Sequence, residues 1–246
     1  MSSPPNISPQ NVSDRASSGF DEFANNYEAA LQQGLSATGE SKDFFAQGRI
    51  RYLQKQLARL SFIPSRILDF GCGTGTSVPL LLTLPGATTV TGVDPSEESL
   101  KTAAENYAAV GKVTFATADR LTPAGDIDLA FCNGVFHHIP LSERERCMKY
   151  IFDSLRPGGI FAFWENNPWN PGTRYVMSRI PFDRDAITLS PPEARRLSQT
   201  AGFEVLLNRS LFFFPKSLGW LRWMEPMMSP IPLGGQYIVL CRKSAH

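Results

Sequence analysis

Three glycines at alternating positions stand in the most chemically informative stretch of the chain. Residues 67–70 (ILDF) have the pattern of a short buried strand, and Gly71, Gly73 and Gly75 follow it at once. Glycines at such a turn let the backbone approach a ligand closely. In an open α/β sheet this loop lies at the carboxyl ends of the strands, where ligands bind. We therefore predict a nucleotide-like ligand here, with a tight turn that binds nothing as the alternative.

The glycine spacing and a neighbouring carboxylate narrow the choice of ligand. A dinucleotide fingerprint has the spacing G-x-G-x-x-G and holds a pyrophosphate at a helix N-terminus. This chain has G-x-G-x-G followed by Thr76, and Asp69 precedes the loop. A carboxylate attracts a cationic amino group and repels phosphates. The predicted cofactor is S-adenosylmethionine, and an NAD(P)-dependent oxidoreductase is the alternative.

Polar residues also follow the next predicted strands. Asp94 ends the second strand, where a carboxylate can accept hydrogen bonds from both ribose hydroxyls, and Asp119 follows the third. Asn133 ends the fourth strand, near the expected methionine portion. Asp94 could instead cap the next helix, and Asp119 could be a solvated carboxylate. The predicted cofactor site also includes Pro95 and Cys72. Cys72 is expected to act only as a small apolar residue that packs in the loop.

Two adjacent histidines are the candidate catalytic residues. His137 and His138 come just after the fourth strand, and imidazole is the usual general base near neutral pH. A purely structural role, in a helix cap or the pocket wall, is the alternative, and His138 is preferred as the base. Candidate substrate residues follow the fifth strand: Glu165, Asn166, Asn167 and Arg174.

The chain resembles the class I S-adenosylmethionine-dependent methyltransferases that act on small-molecule or lipid-like substrates. The matching segments, in the expected order, are LDFGCGTG, GVDPS, ATADR, CNGVFHHI and LRPGGIFAF. The resemblance implies a seven-stranded sheet whose last strand is reversed. It also implies that helices before the first strand close over the cofactor with Tyr27 and Arg49.

The order of the elements agrees with a doubly wound, Rossmann-like α/β sheet. From residue 66 onward, short β-rich runs alternate with helical patterns, which is typical of βαβ crossovers and a parallel sheet. We expect a disordered lead-in over 1–19, a helical cap over 20–63 and the methyltransferase domain over 64–246, with lid segments around 165–192 and 212–235. Capping boxes are predicted at Ser142 with Glu145 and at Ser190 with Glu193.

Composition excludes several classes of protein. The 246 residues carry 24 Lys+Arg against 23 Asp+Glu, so no basic excess favours nucleic acid. No signal peptide or membrane span is evident, and the four cysteines have no metal-site spacing. We expect a cytoplasmic monomer or homodimer without a metal.

The aromatic and proline-rich segment 211–233 has several interpretations. It could be a lid over an apolar substrate, a dimer face, a membrane-surface contact or ordinary core. A methyltransferase-like module without catalytic activity also remains an alternative for the whole chain, because a cofactor site does not prove methyl transfer.

Overall fold

Seven strands form one sheet. The computed structural model describes residues 34, 38–181, 183–184 and 186–244, so the predicted lead-in and Tyr27 lie outside the described residues. The strand order is β3-β2-β1-β4-β5-β7-β6. The strands are β1 Arg66–Phe70, β2 Thr89–Val93, β3 Val113–Ala116, β4 Ile127–Asn133, β5 Leu155–Asn166, β6 Phe203–Leu211 and β7 Gln236–Lys243.

The sheet is parallel except at one strand. β1 pairs in parallel with β2 and β4, and β4 with β5, whereas β7 runs antiparallel to both β5 and β6. This confirms the predicted Rossmann-like fold with a reversed last strand. The strand order changes direction between β1 and β4, and in open α/β sheets that switch point is where ligands bind.

Helices cover both faces of the sheet. In the part of the chain that the structure describes, the α-helices are α1 Lys42–Arg59, α2 Val78–Leu81, α3 Glu97–Asn106, α4 Leu141–Ser154, α5 Pro171–Arg179, α6 Pro191–Thr200 and α7 Glu225–Met228. Successive strand residues alternate between two cores: Leu129 and Phe131 pack on one face, Ala130 and Cys132 on the other. Both faces of the sheet are therefore buried, as is typical of parallel sheets.

Helix α1 belongs to the core of the sheet. Its residues Ile50, Leu53 and Leu57 are buried in the same cluster as Ile67 and Trp164. The described part of the predicted cap is thus a layer of the same hydrophobic core.

One predicted capping box is wrong and the other is confirmed. Helix α4 begins at Leu141 with Pro140 as its N-cap and no side-chain cap bond, so Ser142 lies inside the first turn. At α6, Glu193 accepts a hydrogen bond from the Ser190 backbone N–H at 2.7 Å, and the capping box is complete.

Candidate active site

The glycine loop is tied to the end of the neighbouring strand. The backbone N–H groups of Gly71 and Cys72 donate to the Val93 carbonyl at 2.7 and 3.1 Å, and the Gly73 N–H donates to Asp94 Oδ2 at 2.8 Å. Gly71 and Gly73 have φ of +75° and +50°, which favours glycine. A Cβ on Gly71 would lie 2.2 Å from a Val135 methyl, whereas a Cβ on Gly73 would meet no atom within 4 Å.

Asp69 presents a buried carboxylate at this loop. The residue is 2% exposed, and its Oδ2 has no hydrogen-bond partner among the described residues. Burial, and then the Asp94 carboxylate, raise the pKa of Asp69 to about 7. Because a buried polar atom without a partner is costly, this oxygen is placed to receive a donor from a ligand.

The other predicted cofactor residues differ in their surroundings. The Asp94 Oδ1 accepts the Ser96 N–H at 3.0 Å, but Ser96 is the N-cap of α3, so Asp94 does not cap that helix. Pro95 and Asp119 are exposed. Cys72 is buried, and burial followed by the charges of Asp69 and Asp94 raises the pKa of its thiol far above the ordinary value, so it is not a nucleophile.

A cavity of about 650 Å³ opens beside the end of β4. Asn133 and Gly134 line it, and the Asn133 Oδ1 is buried without a hydrogen-bond partner among the described residues. We call it the acceptor cavity; its walls also come from α1, from α5, from the segment 212–215 and from Ile180 and Asp183. Its polar and aromatic lining residues include Glu40, Lys42, Phe45, Arg49, His137, His138, Asn166, Tyr175, Asp183, Phe212, Phe213, Phe214 and Gln236.

Glu165 holds the turn that carries the histidines. This short 3-10 turn, Phe136–His138, follows β4, and we name it the histidine turn. Glu165 is 1% exposed, and its Oε1 accepts the N–H groups of Val135 and Phe136 at 3.1 and 2.7 Å. Its Oε2 lies 2.6 Å from His137 Nδ1. The Glu165 carboxylate therefore contacts the histidine turn and does not line the cavity. The sequence had instead predicted that Glu165 contacts the substrate.

His137 lies between two carboxylates. Its Nδ1 faces Glu165, and its Nε2 is 3.4 Å from Asp183 Oδ1. Burial alone would lower the pKa of His137, but the charges and hydrogen bonds of Glu165 and Asp183 outweigh it and raise that pKa to about 10. His138 Nε2 lies 3.2 Å from the same Asp183 oxygen. Burial lowers the pKa of His138, and the neighbouring His137 adds to this effect.

Asp183 was missed by the sequence reasoning. It lies in an irregular loop between α5 and α6, where its sequence context is that of a solvated residue, yet it is 7% exposed. Hydrogen bonds from both histidines hold its pKa below the ordinary value against the opposing effect of burial. The only available sequence signal was an acidic residue in a long loop after the fifth strand.

The remaining predicted substrate residues separate into two groups. Asn166 lines the cavity, where its Oδ1 accepts from Gln236 Nε2 at 3.1 Å, and Gln236 Oε1 accepts from Arg49 at 2.9 Å. Asn167 is fully buried, and its amide donates to the carbonyls of Pro232 and Gly234. Arg174 is exposed on α5 and lies outside the cavity wall.

The aromatic segment closes one side of the cavity. Residues 212–214 line the wall, and the Phe212 ring packs on Phe45 with ring centroids 5.0 Å apart. Arg222 fixes this segment, because its guanidinium pairs with Glu40 at 2.9 Å and lies over Phe44. Trp220 and Trp223, by contrast, are 73% and 70% exposed. Among the described helices, none is both long and apolar enough to cross a membrane.

Comparison with known proteins gives a family match over the part of the chain that carries the loop. Residues 67–159 match the family described as a methyltransferase domain. The trans-aconitate 2-methyltransferase of Azoarcus sp. (strain BH72) is 31% identical over 140 residues, which cover 56% of this chain and 53% of that protein. The carboxy-S-adenosyl-L-methionine synthase of Campylobacter curvus (strain 525.92) is 32% identical over 111 residues, 44% of this chain and 47% of that protein. The chain spans about half the length of the curated relatives it matches.

A solved structure extends the likeness to the whole fold. An S-adenosylmethionine-dependent methyltransferase of Thermotoga maritima, described as a possible histamine N-methyltransferase, has a TM-score of 0.61 at 20% identity and covers 93% of this chain and 100% of that chain. At this identity the likeness shows the fold alone. The strand order and the glycine loop with its two carboxylates agree with this match of residues 67–159 to a methyltransferase domain of the class I S-adenosylmethionine-dependent type.

Proposed function

We propose that the protein transfers a methyl group from S-adenosylmethionine to an O, N or C atom of a small-molecule or lipid-like acceptor. The observation that carries this proposal is the adjacency of two sites at one sheet edge. Asp69 lies near the end of β1 and the glycine loop follows that strand, and the acceptor cavity opens beside Asn133, at the end of the neighbouring β4. A bound cofactor supplies an activated methyl group on a sulfonium and leaves as S-adenosylhomocysteine.

The described residues fit this cofactor on two observations. The buried oxygens of Asp69 and Asn133 lack partners among the described residues and suit the cationic amino group and polar atoms of the methionine portion. The open space at Gly73 is large enough for close ligand approach. Asp94, with Pro95 beside it, would accept hydrogen bonds from the ribose hydroxyls. Asp119 would accept one from the adenine amino group. Cys72 and Gly75 shape the loop, and Tyr27 stays a prediction.

The acceptor cavity has the size and lining of a small-molecule site. A volume near 650 Å³ lies within the range of ligand pockets. A lining that combines aromatic rings with Arg49, Lys42 and Asn166 would suit an acceptor with an apolar body and an anionic or polar group. The likeness to trans-aconitate methyltransferases supports organic acids as the first class to test.

Catalysis would rest chiefly on positioning. Holding the acceptor in line with the methyl group and excluding water accounts for much of such a rate acceleration. We assign removal of the acceptor proton to the histidine turn, whose two imidazoles line the cavity. Glu165 would hold His137 in place, and Asn167 would fix the loop around residue 233. Neither residue contacts the acceptor in this assignment. The near-neutral charge supports a protein without a nucleic-acid partner, and a cytoplasmic monomer or homodimer remains part of the proposal.

A matched pair of glycine variants tests the cofactor site. Gly73→Ala places a methyl group in the cradle, while Gly125→Ala makes the same change at another left-handed glycine, whose Cβ would meet only ordinary contacts beyond 3.5 Å. By isothermal titration calorimetry with S-adenosylhomocysteine, we expect Gly73→Ala and Asp94→Ala to bind about tenfold more weakly or worse, a loss of about 1.4 kcal/mol or more, and Gly125→Ala to bind like the wild type. Wild-type affinity in both site variants, or binding of NADH in place of S-adenosylhomocysteine, contradicts the proposal.

A second experiment identifies the acceptor. Methyl-labelled cofactor is incubated with the protein and a panel of di- and tricarboxylic acids, then with fractionated cell metabolites, and labelled products are identified by mass spectrometry. Label transfer that the Asp94→Ala variant loses would establish methyl transfer. Cofactor binding without transfer to any fraction would favour a non-catalytic module.

A further inference from the structure

Three side chains of the types that bind metal ions meet at the wall of the acceptor cavity. His137 Nε2 lies 3.4 Å from Asp183 Oδ1, and His138 Nε2 lies 3.2 Å from the same oxygen. One ligand atom of each residue lies within 4.8 Å of those of the other two, and all three residues line the cavity. We call these three residues the His–His–Asp cluster. A single ion could contact both imidazoles and the carboxylate after only a small movement of the side chains.

The distances within this cluster match those between ligands of one metal ion. Zinc lies about 2.0 to 2.2 Å from its nitrogen and oxygen ligands, so two ligands of a tetrahedral site lie about 3.3 Å apart. The Asp183 oxygen lies 3.4 and 3.2 Å from the two imidazole nitrogens. Charge-assisted N–H···O hydrogen bonds are shorter, about 2.7 to 2.9 Å. The contacts of Asp183 therefore leave the space that an ion between these three groups needs.

Glu165 makes the outer contact that is typical of a histidine ligand. A metal-bound histidine almost always donates its other ring N–H to a carboxylate, a carbonyl or water, which fixes the tautomer and the direction of the ring. Glu165 Oε2 lies only 2.6 Å from His137 Nδ1. Because an ionised carboxylate only accepts hydrogen bonds, the proton of a neutral His137 ring lies on Nδ1. Its lone pair then lies on Nε2, the nitrogen on the side of Asp183.

Hydrogen bonds outside the cluster join the two segments that carry its ligands. The Ile187 N–H donates to the His137 carbonyl at 3.0 Å, which ties the loop of Asp183 to the histidine turn. Arg144 donates to the carbonyls of Ile139 and Ile187 and so contacts both segments. The scaffold therefore brings the three ligands together without a metal, and an ion would bind to groups already in place.

We propose that His137, His138 and Asp183 bind one divalent transition-metal ion at the wall of the acceptor cavity, and that Glu165 orients His137 for this purpose. Two imidazoles and one carboxylate suit zinc, iron(II) and related ions, whereas Mg²⁺ and Ca²⁺ prefer oxygen ligands. The spacing of the cysteines led the sequence analysis to expect no metal. The fold instead joins an adjacent histidine pair to a carboxylate from a distant loop.

The role of this ion toward the acceptor rests on the proposed function. Three protein ligands leave a coordination position open, as in catalytic zinc sites. Because all three ligands line the cavity, we expect an oxygen of an acceptor carboxylate or hydroxyl to bind there. The ion lowers the pKa of a bound hydroxyl, whose proton passes to water, so the histidine turn would promote proton loss through the metal. The raised pKa of His137 described above is a property of the metal-free protein.

Metal binding is measured by calorimetry on the full chain, without an affinity tag and after treatment with EDTA. We expect one Zn²⁺ to bind per chain and Mg²⁺ not to compete. Asp183→Asn and His138→Asn should each weaken Zn²⁺ binding about tenfold or more. Glu165→Gln should weaken it about 10- to 100-fold, as is usual for a residue that orients a ligand. The surface variant Asp153→Asn, which removes a carboxylate paired with Lys149 at 2.9 Å, should bind like the wild type.

Spectra identify the atoms that hold the metal. The chain has three histidines, and His246 is the third, so His246→Asn leaves two ring systems to assign by NMR. We expect Zn²⁺ to shift the Nε2 resonances of both remaining rings, while His137 Nδ1 keeps its proton. Co²⁺ in place of Zn²⁺ should give visible bands without the charge-transfer bands of a thiolate ligand. Thiolate bands would assign the metal to one of the four cysteines and overturn the proposal.

Two other results also overturn the proposal: a wild type that binds no Zn²⁺, and a folded Asp183→Asn variant that binds it as tightly as the wild type. Urea unfolding with and without Zn²⁺ shows which variants are folded, and Zn²⁺ should stabilise the wild type and Asp153→Asn more than the ligand variants. If Asp183→Asn does not fold, His138→Asn gives the same test. Failure of S-adenosylhomocysteine to bind would refute the proposed function instead, because Zn²⁺ binding is measured without the cofactor.

Discussion

Replacement of Asp69 by asparagine is expected to stabilise the cofactor-free protein and to weaken cofactor binding at the same time. The carboxylate is 2% exposed, and its Oδ2 lacks a partner among the described residues. Burial, with the Asp94 charge adding to it, raises the pKa from 3.8 to about 7. The difference of about three units corresponds to about 4 kcal/mol.

The sign of the pH dependence follows from proton linkage. Between pH 3.8 and about 7, Asp69 binds more protons in the folded state than in the unfolded state. This group therefore makes the stability of the cofactor-free protein fall as pH rises through that window. The asparagine has no charge to bury. The stability of Asp69→Asn should therefore equal that of the wild type near pH 3.8 and exceed it above pH 7. The gain above pH 7 should approach about 4 kcal/mol, the free-energy equivalent of the difference in pKa.

The assay is urea unfolding of the cofactor-free protein at several pH values, with Asp153→Asn as the surface control. The same variants are titrated with S-adenosylhomocysteine, whose amino group is cationic. We expect Asp69→Asn to bind about tenfold more weakly or worse, a cost of about 1.4 kcal/mol or more. We also expect cofactor binding to the wild type below pH 7 to release protons, which calorimetry in two buffers measures. A variant that is less stable than the wild type above pH 7, or a stability difference that does not change with pH, would refute the reasoning.

Three other changes probe the scaffold. Gly71→Ala places a Cβ 2.2 Å from Val135 at φ +75°. We therefore expect the free energy of unfolding in urea to fall by about 2 to 4 kcal/mol, and Val135→Ala to restore part of it. An unchanged free energy of unfolding would contradict the tight packing. Glu165→Gln removes a carboxylate beside His137. In the wild type the raised pKa of His137 adds stability that is complete below pH 6.5 and is lost as pH rises to about 10, and unfolding at several pH values should show a smaller slope in the variant. Arg144→Met removes the donors to two carbonyls and should cost about 2 kcal/mol, with faster hydrogen exchange at the Ile187 amide; an unchanged exchange rate would show that Arg144 does not hold the loop.

The sequence alone could predict the sheet and the strand-end residues because both follow from local order. A residue that ends a buried strand of a βαβ unit must lie at the carboxyl edge of the sheet, wherever the helices pack. Asp69, Asp94 and Asn133 were predicted in this way, and the structure places Asp69 and Asn133 at the ends of β1 and β4 and Asp94 directly after β2. Two similar capping patterns, at Ser142 and at Ser190, could not be ranked, because the path of the chain around Pro140 decides where α4 begins.

The tertiary structure decided which group does what within the site. His137 and His138 are neighbours in sequence with the same chemistry, and only the carboxylates packed against them distinguish them. One of these, Glu165, comes from β5, and the other, Asp183, comes from an irregular loop with no periodic signal. Asn167 likewise differs from Asn166 because its amide is buried against the loop around residue 233. Protonation and hydrogen bonding depend on burial and on distances of a few ångströms between residues far apart in the chain, and residue spacing along the chain does not determine those distances.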